Sequence, residues 1–227
     1  IFSWYSGSDG VKVGRNSTIE NSFIKVNDDA IKMYNSNLVI RNNVLWQMTK
    51  GAAFQFGWQT VVTVRNVKVS NIDVIHSDAF TDYFKAERSD NQPYLRSSKA
   101  VFSCMGILNS EISEVVFDGV RVEDKGLLRL IGMRLVSYGP GDRYWGNLKP
   151  DSRKMISGIA FRNIEVAKAP YKQNFLYANK GGSISNISFE NFSVNGVKSR
   201  GTWDMTSVID GAGFTAVENV SNIFFID

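Results

Sequence analysis

The chain has 227 residues, 43% hydrophobic and 21% charged, with a net charge of +4 from 26 basic and 22 acidic residues. That is ordinary for a globular protein with a large core, and one all-β or repeat domain can span residues 1–227. The basic residues are scattered and no apolar run reaches membrane-spanning length, so neither a nucleic-acid nor a membrane partner is expected. Cys104 and His76 are the only residues of their kind, which excludes an intrachain disulfide and argues against zinc; no metal and no cofactor are expected.

In chain order, the first stretch is "IFSWYSGSDG", with neither an initiator Met nor a signal peptide. It reads as the start of a piece of a longer protein, its apolar residues 1–6 packing on something outside this sequence. Two loose repeat copies follow, "NSTIENSFIKV" and "NSNLVIRNNVLW", then a clearer one, "VRNVKVSNIDVIH" from Val64. Residues 79–90 are the one modest helical stretch, and 86–99 read as a projecting loop. "ISEVVFDGVRVED" from Ile112 resumes the repeat, and a polar, aromatic loop is expected at 138–153. "ISGIAFRNIEVAK" from Ile156, "ISNISFENFSVNG" from Ile184 and "VSNIFFID" from Val220 complete the series without gaps.

Each copy alternates apolar residues, as at Val67 and Val69, then shifts phase at an asparagine before Ile72 and Val74. Asn21, Asn42, Asn71, Asn163 and Asn191 hold that position, with Gly119 in one copy; both residue types tolerate the left-handed backbone of a sharp bend. The pattern predicts a right-handed parallel β-helix in which Ile19, Ile40, Val69, Phe117, Phe161, Phe189 and Phe225 stack on one another. A β-sandwich would show hairpin turn signals in place of a repeating sequence. Four glycosylation sequons, at Asn16, Asn186, Asn191 and Asn219, are close to what chance gives and do not settle secretion.

"VNDDAIKMY" (26–34) sets Asp28 and Asp29 side by side in an apolar run. In a regular strand one of them would enter the core, at a large cost for an unpaired ion, so both are expected at a bend on the outer face. Asp9 lies 19 residues upstream, about one repeat, which puts it beside the pair at the ~4.8 Å strand spacing. Crowded carboxylates raise at least one pKa, and a protonated acid beside ionised ones is the equipment of glycoside hydrolysis; a polar bend or a calcium site stays open.

"SWYSGSDGV" followed by "VNDDAIKMY" on this repeat resembles the family 49 glycoside hydrolases, the dextranase and isopullulanase group. The likeness extends through "NSNLVIRNNVLWQ", "FQFGW" and "DVIH". It implies a secreted, inverting, endo-acting hydrolase with an α-glucan as its polysaccharide partner. Members also carry an N-terminal β-sandwich and earlier coils, so the N-terminal part of the protein is expected to be missing from this chain.

Carried over, Asp28 is the general acid, while Asp9 and Asp29 hold and deprotonate water, with acid and base carboxyls ~6.5–9.5 Å apart for an inverting mechanism. Lys32 and Tyr34 share a face with Asp28, where Lys32 can balance the carboxylates and bond a sugar hydroxyl. Trp4, Tyr5, Trp58 and Trp145 are aromatic surfaces for sugar rings, with Trp46 a poorer choice. His76 reads as a structural or substrate-contact residue, since nothing positions it in a Ser-His-Asp triad. A polygalacturonase-type hydrolase is the enzymatic alternative, but its Gly-His-Gly and Arg-Ile-Lys elements are missing. A non-catalytic polysaccharide-binding β-helix is the other alternative, favoured if any of the three aspartates turns into the core.

Overall fold

A computed structural model describes residues 1–48, 50–58, 63–77, 100–106, 111–123, 129–135, 154–168, 170, 174–178, 181–198, 214–217 and 219–226. These residues form β-strands and connections, with no helix among them. The expected helical stretch at 79–90 and the loops at 86–99 and 138–153 lie outside the described residues.

The strands form two sheets. In the ten-stranded sheet Leu38–Gln47, Val64–Ser77, Glu111–Val122, Lys154–Val166, Gly182–Val194 and Val220–Ile226 pair in that order, each parallel to the next. Phe23–Val26 and Ser17–Glu20 pair with Leu38–Gln47, Phe2–Ser3 pairs with Phe23–Val26, and the short Val197–Lys198 is the antiparallel exception. The seven-stranded sheet runs Val11–Lys12, Ile31–Lys32, Phe54–Trp58, Phe102–Gly106, Ile131–Leu135, Asn174–Ala178 and Phe214–Val217, all parallel. Each pass of the chain thus gives one segment to each sheet, and no hairpin runs through 64–76 or 112–123.

The seven apolar anchors meet in register: Ile19 opposite Ile40, then Val69, Phe117, Phe161, Phe189 and Phe225 on successive strands. Phe117, Phe161 and Phe189 stack near-parallel at 5.3 and 5.1 Å between ring centres. From the other sheet Phe54 and Phe102 stack at 5.6 Å and meet Phe117 edge-on, closing the core between the sheets. Burying each such ring stabilises by roughly 1.5–3 kcal/mol.

The phase shift in each long strand comes from left-handed residues. Asn21, Asn42, Asn71, Asn163 and Asn191 have φ of 47–55° and Gly119 has 68°, as the repeat predicts. A second left-handed column lies five residues earlier and was not foreseen: Asn16, Asn37, Asn66, Glu114, Gly158, Asn186 and Asn222. Side-chain amides link the passes, Asn42 to Asn21 at 3.2 Å and Asn71 to Asn42 at 2.9 Å in one column, Asn37 to Asn16 at 2.8 Å and Asn66 to Asn37 at 3.0 Å in the other. Where Gly119 interrupts the first column, Arg121 donates to Asn71 Oδ1 at 2.9 Å and Asn163 donates to Asp118 at 2.8 Å.

Asn42 both adopts the left-handed backbone and joins the ladder on two sides. Asn42→Ala should cost about 2–3 kcal/mol in urea unfolding, from the left-handed penalty and the lost amide bonds. Asn42→Gly, which keeps the backbone conformation, should cost only about 1 kcal/mol.

Candidate active site

The site arises where the chain crosses from the ten-stranded sheet to the seven-stranded one. Ser3, Val26 and Gln47 are aligned on one side of the crossing, and Val11, Ile31 and Phe54 on the other. Between these fixed points the three passes use residues 4–10, 27–30 and 48–53. The middle bend, which carries Asp28 and Asp29, is the shortest of the three.

Backbone hydrogen bonds clasp this bend from both neighbours. Asp28 N–H donates to Ser8 O at 3.0 Å and Gly10 N–H to Asp29 O at 2.8 Å; on the other side Lys50 N–H donates to Asn27 O and Ala30 N–H to Ala52 O, both at 2.8 Å. The approach is close enough to demand glycine. A Cβ on Gly51 would stand 2.5 Å from both Asp28 Oδ1 and Asp29 N, and Gly51 has φ of +67°. A Cβ on Gly10 would run into the Ala30 carbonyl.

Asp9, Asp28 and Asp29 converge as the spacing predicts, each offering an oxygen within 4.8 Å of the others. That is closer than the ~6.5–9.5 Å separation expected for an inverting pair, although nearest oxygens understate the distance between carboxyl groups. One expectation needs correcting. Asp28 is half-buried at the bend, but Asp29 is not on an exposed face: it is 3% exposed. Burial is tolerated because Asp29 Oδ1 accepts the Ala52 N–H at 3.0 Å and Oδ2 lies 3.8 Å from Lys32 Nζ. Asp29 is therefore buried with both carboxylate oxygens facing polar partners.

Lys32 is the cation of the site. Its ammonium pairs with Asp9 as well as Asp29, and sits 5.8 Å from the centre of the Tyr34 ring, so Lys32 and Tyr34 share the expected face. The Tyr34 hydroxyl is buried without a hydrogen-bond partner, and burial together with Asp29 pushes its pKa above the ordinary tyrosine value. Burial first, and the Asp28 charge second, push Asp29 up to about 7 against the pull of Lys32. Asp28 is also raised, by burial and then by Asp9, with Lys32 and Lys50 opposing. Burial thus outweighs the crowding that sequence reasoning relied on.

The other predicted contacts divide. His76 is exposed and packs 4.4 Å from the ring centre of Trp46, whose ring also carries Lys25 Nζ at 3.6 Å. These three residues are aligned on successive strands of the ten-stranded sheet, in a row separate from the aspartates. Trp58 ends the strand Phe54–Trp58, but its side chain lies outside the described residues, as does Trp145. Trp4 and Tyr5 are strongly exposed on the bend that also carries Asp9. Sequence reasoning missed Gly51, Gln47 and Lys50. Gln47 is fully buried and donates to Asp28 O at 3.4 Å, and only the strand register brings these residues to the aspartates.

The Asp29 shift has a consequence for folding. Its proton is held more tightly folded than unfolded, so the stabilisation is complete below pH ~4 and is lost as pH rises towards 7. At about 1.4 kcal/mol per unit the loss is on the order of 4 kcal/mol. Asp29→Asn keeps an acceptor for Ala52 and removes the titration. It should flatten the decline in melting temperature between pH 4 and 8 and melt above the parent at pH 8.

No protein-family model matches the chain. It is 43% identical over 77 residues to a dextranase of Arthrobacter sp. (strain CB-8), covering 34% of this chain and 12% of that protein. An isopullulanase of Aspergillus niger is 35% identical over 76 residues, covering 34% and 13%. A dextranase of Talaromyces minioluteus is 32% identical over 87 residues, covering 38% and 14%. The chain spans about an eighth of the length of these curated relatives along the matched segments. Over roughly a third of its own length, then, the chain resembles the dextranase and isopullulanase group of glycoside hydrolases.

Proposed function

We propose that the chain is part of an endo-acting α-glucan hydrolase, its two parallel sheets forming faces of one right-handed β-helix. The observation that carries this reading is the convergence of Asp9, from one bend, with Asp28 and Asp29 on the shorter bend beside it. The likeness to dextranases and an isopullulanase supports a glucan as substrate. A neutral sugar suits the site because Lys32 is already paired with two carboxylates and is not free to bind a uronic acid.

In this mechanism Asp28 is the general acid. It is the half-buried member of the adjacent pair, open enough to reach a glycosidic oxygen, and burial raises its pKa, the direction a general acid needs. Asp29 is too buried to attack an anomeric carbon, and Asp9 is held by Lys32, so neither suits a covalent nucleophile. Both are suited to orienting and deprotonating a water, which gives single displacement and inversion. Asp29 must be ionised to act as base, so the rate should rise as the pH approaches its pKa of about 7.

Thin-layer analysis of products from dextran, pullulan and polygalacturonate tests the substrate class. Oligosaccharides should appear from an α-glucan and not from polygalacturonate. Proton NMR of the first products should show the β-anomer; the α-anomer appearing first would overturn inversion. Asp28→Asn should lower turnover by ~10²–10⁴ while glucan binding and melting temperature hold, because the amide keeps the shape without the proton. Binding of glucan with no product from the parent protein would favour a non-catalytic module instead.

Gly51→Ala adds one methyl group against the Asp28–Asp29 peptide. A displacement of about 1 Å at catalytic groups costs on the order of 10² in rate. Gly51→Ala should therefore depress kcat by about that factor with a much smaller change in KM, as measured by reducing-sugar release.

A further inference from the structure

Where the strands of the ten-stranded sheet end at the aspartate crossing, two buried positions are polar. Val26, Gln47 and Ser77 are register partners on three successive strands, and all three are buried. Side chains alternate along Leu38–Gln47, so Gln47 lies on the same side as Leu45, which belongs to the apolar core. An amide in that position is costly unless its hydrogen bonds are made. Gln47 Nε2 donates to the Asp28 carbonyl at 3.4 Å, and Gln47 Oε1 accepts from the Ser77 hydroxyl at 3.5 Å. A carbonyl oxygen can only accept, so Asp28 sets which way the amide faces, and the hydroxyl suits the oxygen left over.

The Asp28 carbonyl belongs to the peptide that joins the two aspartates. The other end of that peptide, the Asp29 N–H, lies near enough to the Asp28 carboxylate to favour its ionised form. Gly51 packs against this end, where a Cβ would stand 2.5 Å from both Asp29 N and Asp28 Oδ1. On the other side of the Asp28 Cα, the Asp28 N–H donates to Ser8 O at 3.0 Å. With the main chain held on both sides of the Cα, the direction of the Asp28 side chain is held too. Without Gln47 the peptide could rotate about its flanking bonds, and the Asp28 carboxyl would move with it.

We propose that Gln47 is a positioning residue for Asp28: its buried amide, held by Ser77, fixes the peptide behind Asp28 and so the direction in which that carboxyl meets a glycosidic oxygen. This rests on the reading of Asp28 as general acid and extends it to two residues on neighbouring strands. Both are buried and touch no sugar. Substrate binding therefore does not depend on them, whereas the alignment of proton transfer does.

The test measures reducing-sugar release from dextran and pullulan by the full chain. Gln47→Met keeps the length and burial of the side chain and removes the donor. It should lower kcat about 10-fold with KM nearly unchanged, a smaller loss than the ~10² expected for a full 1 Å displacement. Ser77→Ala should lower kcat less, and should cost nothing further when added to Gln47→Met, because it acts through the same amide. Asn43→Ala is the control for stability. Asn43 is equally buried and bonds to the Ile19 carbonyl and the Ser22 N–H, away from the aspartates, so its loss should lower the melting temperature and leave kcat at the parental value. Parental kcat in Gln47→Met, or a change in KM alone, would overturn the proposal and leave the hydrolase reading standing. Asn43→Ala depressing kcat as much as Gln47→Met would also overturn it, in favour of a general loss of rigidity. If Gln47→Met does not fold, Ser77→Ala decides alone: a lower kcat at constant KM supports the proposal and an unchanged kcat overturns it. A parent chain that releases no product from either glucan would bring down the hydrolase reading and the positioning role together.

Discussion

A strand with one buried face can pass a bend only if its side-chain phase is reset there, and in stacked parallel strands every pass must reset at the same height. Here the reset is a left-handed residue, used twice per long strand and five residues apart. Asparagine suits it because its short side chain tolerates that conformation and its amide can donate to one neighbour while accepting from another. Once both columns are aligned, the apolar anchors between and beside them must be aligned as well. The stacked phenylalanines are therefore a consequence of the kinks as much as a cause of the fold.

Such a register leaves the crossings between sheets as the parts free to vary in length. The four-residue crossing carries Asp28 and Asp29, and the longer crossing beside it brings Asp9 to them. The same geometry explains the electrostatics. A short bend pressed between two others loses solvation, so the Asp29 pKa rises, while the Ala52 N–H and the Lys32 charge pull it back towards the ionised form.

Much of this was legible in the sequence because it repeats. The anchors and the first asparagine column recur through four segments that align without gaps and three less regular copies before them, and the 19-residue offset of Asp9 from Asp28 is nearly one repeat. The second column was hidden where Glu114 and Gly158 replace asparagine, since neither advertises a kink by type. The burial of Asp29 was illegible for another reason: its hydrogen bond comes from Ala52 and the tight contact behind it from Gly51, both more than 20 residues away. Trp46 read as a poorer aromatic candidate and His76 as a structural or substrate-contact residue. Only the pairing of their strands shows that the two rings lie against each other.

The left-handed columns also bear on how the chain can be made. All four sequon asparagines, Asn16, Asn186, Asn191 and Asn219, sit at positive φ, so their presence is explained by backbone shape without reference to sugars. In three of them the amide nitrogen already donates: Asn186 to Ser157, Asn191 to Asn163 and Asn219 to the Ala178 carbonyl. That nitrogen is the atom a glycan would occupy. Strands in one sheet lie only ~4.8 Å apart, so a sugar attached there before folding would compete with the stacking of the next pass. For this chain, a host that glycosylates during secretion sets modification against assembly, whereas a host without that machinery leaves the amides to the fold.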